Sequence, residues 1–148
     1  MMSTLTLEGK VVFITGSTRG IGWSTAKFLA RQGATILLNG VSNDDVLQAR
    51  IHELKDRFSV DCEGFLFSVA ERDSVKKCYN DIFKKYKKLD ILVNNAGVLE
   101  ASLLAMATAE MIDQTLDINV KGVLYNMQNA SRLMGRQKSG SIINLTSI

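Results

Sequence analysis

Proline is absent from this sequence of 148 residues, where about 5% would be ordinary. The connections must therefore turn on Gly, Asn, Asp and Ser. Cysteine is scarce as well. Cys62 and Cys78 match no zinc spacing, and two are too few for a disulfide framework. Reduced thiols and a cytoplasmic location are the expectation. No run approaches the roughly 18 apolar residues that cross a bilayer. The N-terminus, MMSTLTLEGK, lacks a basic segment followed by an apolar one, so neither a secretory signal nor a membrane partner is expected. Charge of one sign is also missing in bulk: 18 basic and 15 acidic residues leave a net charge of +3. That balance suits an anionic cofactor and is too small for a nucleic-acid face. No linker, repeat or low-complexity segment divides the chain, so residues 1–148 read as a single domain.

What is present is an alternation of apolar strands and amphipathic helices. Strands are expected at residues 11–14, 34–38, 64–67, 89–93 and 141–145. The first helix spans residues 20–31, with Ile21, Thr25, Phe28 and Leu29 on one face. Ser42 and Asp45 resemble a capping box for the second, which spaces Leu47, Ile51, Leu54 and Phe58 along its inner side. The third carries Val75, Cys78, Tyr79, Ile82, Phe83 and Tyr86 and closes on the basic run KKYKK, residues 84–88. Cations in a last turn suit the helix dipole, so that run reads as a solvated face. A long helical region follows, from about residue 110 to 134. Strands apolar on both faces and separated by helices imply a parallel α/β sheet covered on both sides.

Between the first strand and the first helix lies TGSTRGIG, residues 15–22, in which Gly16, Gly20 and Gly22 make the spacing G-x-x-x-G-x-G. A diphosphate has to approach backbone N–H groups at a helix N-terminus, and a Cβ there would hold it off. The strand–turn–helix context favours a dinucleotide site over an ordinary tight turn. Such a site lies beyond the carboxyl ends of the strands. A NAD site usually ends its second strand on an acid that holds the ribose hydroxyls. Here the stretch is LLNGVSN; Asn39 stands near that place, and the first acid is Asp44, already entering the helix. Arg19 projects from the turn, where a guanidinium can hold a 2′-phosphate. NADP, as NADPH, is therefore favoured over NAD. The competing reading makes Arg19 a solvated loop residue.

With NNAG at residues 94–97, the sequence resembles the short-chain dehydrogenase/reductase family over essentially its whole length. Within that family it is most similar to the 3-oxoacyl-[acyl-carrier-protein] reductases. The resemblance implies a Rossmann-type doubly wound sheet of strand order 3-2-1-4-5. It implies that Gly16, Ser17, Thr18, Arg19, Gly20, Ile21 and Gly22 form the cofactor turn, and that Asn94, Asn95, Ala96 and Gly97 order the central strands and line the nicotinamide side. It places an active-site asparagine at Asn119, disturbing its helix and holding a water of a proton relay, and a catalytic serine at Ser147, bonded to the substrate carbonyl. Ser68 and Val69 stand where the family often has Asp-Val at the adenine, so a weaker neutral contact is expected there. Lys138 matches a basic position that helps some relatives hold their acidic carrier; alternatively Arg132, Arg136 and Lys138 complement a helix C-terminus.

The family also uses a Tyr-x-x-x-Lys pair, the tyrosine about thirteen residues after the serine, as general acid and its electrostatic partner. Both would fall beyond Ile148. None of Tyr79, Tyr86 and Tyr125 is followed four residues later by lysine, so none replaces the pair. The C-terminal strands of the family are expected to be missing as well, leaving the fifth strand as an apolar edge. The resemblance implies an NADPH-dependent oxidoreductase that reduces a ketone, with a 3-oxoacyl thioester as a candidate, to a secondary alcohol. Its partners would be a small carbonyl substrate, carried by acyl carrier protein in one version. A second copy would pair through the long helix to make a homodimer or homotetramer. The alternative is a non-catalytic dinucleotide-binding protein or an inactive fragment. Nucleic acid is not an expected partner.

Overall fold

A computed structural model describes residues 6–99 and 101–147. Its elements are β1 (Val11–Ile14), α1 (Gly20–Arg31), β2 (Thr35–Gly40), α2 (Asp44–Phe58), β3 (Cys62–Leu66), α3 (Arg72–Tyr86) and β4 (Ile91–Asn94). A 3-10 turn (Leu104–Met106), α4 (Ala109–Leu116), a π-turn (Asp117–Gly122), α5 (Val123–Gln137) and β5 (Ser141–Asn144) complete them. The five strands are parallel in the order β3-β2-β1-β4-β5, as expected.

Side chains alternate across a strand, and this alternation divides the core in two. Val12, Ile14, Ile36, Leu38 and Val93 face α1 and α2, where they meet Trp23, Ala26, Ala30, Leu47 and Leu54. Val11, Phe13, Leu37 and Leu92 face α3 and α5, where they meet Val75, Tyr79, Ile82, Ala130 and Met134. Phe13 is fully buried, with the rings of Phe65 and Tyr79 set edge-on at 6.1 and 5.7 Å. A side chain of that kind stabilises by about 2–3 kcal/mol through burial alone. Cys62 and Cys78 are free thiols inside these layers. Burial pushes the Cys62 thiol up to about 12, and Cys78 higher still, so neither is a nucleophile.

Four expectations are corrected. The inner face of α1 is Gly22, Trp23, Ala26 and Ala30, while Ile21 and Phe28 are 66% and 64% exposed. Gly22 sets that phase, because only a residue without a Cβ can face the turn beneath it. The cap of α2 is Asn43, whose side chain accepts the N–H of Val46, and no Ser42–Asp45 box forms. β3 starts at Cys62 rather than residue 64, because its register against β2 begins at Ile36. The long helix runs on to Gln137 rather than ending near residue 134, while the π-turn disturbs it around Asn119, as the resemblance implied.

Helices α2, α3 and α5 end on Ser59, Lys87 and Lys138 in the left-handed conformation, so lysine joins the expected turn formers. The basic run 84–88 is bound to acids: Lys85 lies 2.8 Å from Glu63, Lys88 3.1 Å from Asp90 and Lys84 3.8 Å from Asp81. β5 forms an edge of the sheet on which Ile143 is 50% exposed. No helix among the described residues is long and apolar enough to cross a membrane.

Candidate functional site

In a parallel sheet every strand delivers its carboxyl end to the same edge. Residues 15–19, 39–40, 68–69, 94–97 and 145–147 therefore gather there. β1 is flanked by β2 and β4, and its two crossovers run to opposite faces, which opens a crevice above its end. The turn after β1 fills that crevice.

Its shape depends on glycine at two points. Gly16 has a φ of +60°, and a Cβ on it would lie 2.8 Å from the Ala96 Cα. A Cβ on Gly22 would lie 2.6 Å from the Gly16 carbonyl oxygen and 3.0 Å from the Ser17 Cα. Gly20, at φ +56°, has nothing within 4 Å and faces open space. Arg19 is the extended residue before α1, and its side chain makes no capping bond. No acid occupies the first turn of α1. The helix therefore presents uncapped N–H groups and a positive dipole end above the tightly packed turn, with Gly20 leaving open space beside them. This cradle fits a dinucleotide diphosphate.

Two asparagines hold the turn. Asn39 is 1% exposed. Its Oδ1 accepts the Gly16 N–H at 3.1 Å, and its Nδ2 points to the carbonyls of Gly40, Phe65 and Phe67 at 3.1–3.3 Å. Its backbone exchanges bonds with the N–H and hydroxyl of Ser17. Asn39 thus lies inside the braid of β2, β3 and the turn, and does not face the crevice where a ribose would be met. Asn95 donates to the carbonyls of Thr15 and Gly16. Ala96 lies against Gly16, and Asn94 is buried with its amide donating to Asn144 at 2.9 Å.

Ser68 accepts the N–H of Ala70 at 3.3 Å, and Val69 is buried where a Cβ on Gly122 would meet it at 2.7 Å. Thr18 is half-buried with its methyl beside Gly40, whereas Arg19 and Ile21 are exposed. Arg19 forms no ion pair among the described residues.

Asn119 sits inside the π-turn, and its amide is spent on one peptide neighbour. Oδ1 accepts the Val98 N–H at 2.9 Å, and Nδ2 donates to the Val98 carbonyl at 2.8 Å. The amide therefore ties the widened turn to the segment that follows NNAG, just beyond Gly97. Ser147 is exposed at the same edge, three residues past the end of β5. Lys121 and Asp117 close an ion pair of 2.7 Å across the π-turn, and that hydrogen bond raises the Lys121 pKa.

The tyrosines of α3 are packing groups. Tyr79 is buried and donates to Asn126; burial holds its hydroxyl well above the ordinary range. Tyr86 is bonded to Glu63, and burial followed by that carboxylate raises its pKa too. Lys138 is the left-handed residue closing α5, and it is exposed. Thr15, Trp23 and Arg50 were not singled out in the sequence, yet all three shape the turn. Only Thr15 had a signal, as the first residue of TGSTRGIG. Among the described residues no cluster of His, Cys, Asp and Glu is placed to hold a metal ion.

The family described as short chain dehydrogenase matches residues 10–148. A 3-oxoacyl-[acyl-carrier-protein] reductase of Thermotoga maritima is 34% identical over 142 residues, covering 96% of this chain and 57% of that protein. The L-sorbose reductase of Gluconobacter frateurii, solved with NADPH and L-sorbose, superposes with a TM-score of 0.92 at 29% identity, over 99% of this chain and 55% of that one. A xylitol dehydrogenase bound to NAD+ gives 0.90 at 28% identity, over 96% and 54%. The chain thus spans little more than half the length of each.

Proposed function

This chain belongs to the short-chain dehydrogenase/reductase family, and from that premise we propose that it is an NADP-dependent oxidoreductase reducing a ketone to a secondary alcohol. The observation that carries the reading is the uncapped N-terminus of α1 above a turn with no room for side chains at Gly16 and Gly22. Its backbone would hold the diphosphate, with Ser17 and Thr18 shaping the turn. Asn39 and Asn95 would act on the turn rather than on the ligand. Ala96 and Gly97 would border the nicotinamide, and Ser68 and Val69 the adenine. Bound there, the dinucleotide would supply the hydride. Residues 1–148 would then make one dinucleotide-binding domain.

NADP is favoured because β2 ends on Asn39 and Gly40 with no carboxylate, while Arg19 stands exposed and, among the described residues, without an ion pair. A carboxylate would repel a 2′-phosphate; a guanidinium holds one through paired N–H bonds. Ser147 would donate a hydrogen bond to the substrate carbonyl and turn it towards the hydride, while the proton would have to come from a general acid of the Tyr-x-x-x-Lys kind, a pair that residues 1–148 do not contain. Asn119, with its amide committed to Val98, would serve the proton relay by holding the π-turn in shape.

The substrate class rests on likeness to the 3-oxoacyl-[acyl-carrier-protein] reductases, so a 3-oxoacyl thioester, free or carrier-linked, is the candidate. Pairing of two copies along the long helix is supported by a stripe of Ile112, Leu116, Val120 and Leu124, all 46–56% exposed at a spacing of four. The buried free thiols suit a reducing cytoplasm.

Calorimetric titration with NADP+ and NAD+ tests the cofactor, and NADPH oxidation with acetoacetyl-CoA tests the reaction. The expected result is NADP+ binding at least about tenfold tighter than NAD+, the size of a lost charge-assisted contact. Binding of neither nucleotide would overturn the reading. Binding without turnover of any ketone would leave a dinucleotide-binding protein.

A further inference from the structure

The chain has a single tryptophan, and it lies against the turn. Trp23, in the first turn of α1, is 7% exposed. The guanidinium carbon of Arg50, on α2, stands 4.6 Å from its ring centroid, and the Lys27 ammonium stands 5.4 Å from it. Arg50 also donates from Nε to the Thr18 carbonyl at 3.1 Å and from a terminal nitrogen to Glu53 at 3.2 Å. One guanidinium thus lies over an indole, bonds a backbone carbonyl and meets a carboxylate.

The Thr18 carbonyl belongs to the same peptide unit as the Arg19 N–H. That unit is planar and trans, so the two groups point in opposite directions. Drawing the carbonyl towards α2 turns the Arg19 N–H away from it and fixes where the Arg19 backbone enters α1. The diphosphate cradle itself is held by other residues. Gly16 is held by Asn39 and Asn95, and Gly22 by its close approach to Gly16 and Ser17.

We infer that Arg50 is a specificity-determining positioning residue: through Thr18, and held over the Trp23 ring, it orders Arg19 for the 2′-phosphate of NADP. The assignment rests on the dinucleotide reading above. Its effect comes from geometry more than charge, since Glu53 offsets the positive charge. Lysine has no planar fork and cannot stack and donate from one plane, so it is not a substitute here. Without the clamp, the ordering of Arg19 would have to be supplied on binding.

The test is calorimetric titration of NADP+ and NAD+ into the wild type, Arg50→Met and Arg50→Lys, with melting curves to confirm that each is folded. The expected result is NADP+ affinity lowered about tenfold in both variants, with NAD+ affinity unchanged within about twofold. Emission from Trp23 should also shift in Arg50→Met, reporting loss of the cation over its ring in solution. Equal loss for both nucleotides would make Arg50 a general support of the fold and overturn the assignment. Restoration by Arg50→Lys would replace positioning with charge and overturn it too. Wild-type NADP+ binding unaffected by either variant would remove the Arg50 assignment alone. Wild-type binding of neither nucleotide would remove it together with the dinucleotide reading.

Discussion

Asn95 donates to Thr15 twice, once from its backbone and once from its side chain. The Thr15 hydroxyl accepts the N–H of Asn95 and of Ala96, each at 3.0 Å, while the Asn95 amide donates to the carbonyls of Thr15 and Gly16 at 3.0 and 2.9 Å. Four hydrogen bonds thereby lock the turn after β1 to the segment after β4, across the mouth of the crevice. Thr15→Val keeps the shape and removes the acceptor from two half-buried N–H groups. Stability should fall by about 2 kcal/mol, since each orphaned donor costs about 1–3 in full burial. Thr15→Ser keeps the hydroxyl and should lose less than about 1 kcal/mol. Urea midpoints compare the two directly, and equal midpoints would mean that the hydroxyl carries none of the load.

Two glycine substitutions should have opposite signs. Gly22→Ala puts a methyl against the Asn95 amide and 2.6 Å from the Gly16 carbonyl oxygen, so both the backbone of the turn and the amide that bonds it must yield. Stability should drop by about 1–3 kcal/mol, and dinucleotide binding should weaken with it. Gly135→Ala, within α5, meets nothing within 4 Å, and its backbone is helical. It should raise stability by about 0.5–1 kcal/mol. Thermal melts of the pair check both, and a destabilised Gly135→Ala would show that this part of α5 is not a free helix surface.

Acid should weaken the sheet through Asp90. Burial pushes its carboxyl up, but the Val11 N–H at 2.9 Å and the cations of Lys88 and Lys10 outweigh that and hold it below the ordinary aspartate value. A lowered folded-state pKa means that the stabilisation is present above the unfolded value, about 3.9, and is lost as pH falls through the folded one. Stability measured between pH 7 and pH 3 should therefore decline at the acid end. Asp90→Asn should flatten that decline. An unchanged slope in the variant would place the acid sensitivity elsewhere.

The β1 turn was legible because its demand is local, glycine where no Cβ fits, whereas NNAG could be read only through the family resemblance, since its amide partners Thr15 and Gly16 lie some 80 residues away. β1 and β4 were legible as apolar runs. The inner face of α1 was not. Ile21 and Phe28 are more apolar than Gly22 and Ala26, yet they point outward, because Gly22 must face the turn and the rest of the helix follows that phase. Asn39 could be read from the sequence only as a residue near the end of the second strand, and its surroundings could not be read at all. Its enclosure depends on Phe65 and Phe67, whose carbonyls reach it only once β3 pairs with β2. Arg50 gave no signal at all, since its partner Thr18 is 32 residues away.

Asn119 shows why the π-turn belongs to the site. A widened turn within a helix gives up regular bonding and persists where something outside the helix offsets the loss. Here the two bonds between the Asn119 amide and the peptide groups of Val98 do so. Asn119→Ala removes both, whereas Asn119→Asp retains the acceptor for the Val98 N–H and loses only the donor. Hydrogen exchange at the Val98 amide separates them. Protection should fall about tenfold in Asn119→Ala, the worth of one to two net hydrogen bonds, and should largely survive in Asn119→Asp. Loss of protection in both would mean that the carboxylate cannot stand in for the amide beside the Val98 carbonyl, so that the donor half holds the segment. Protection kept in both would mean that the π-turn stands on helix bonds alone, and Asn119 would then be free to act on a ligand directly.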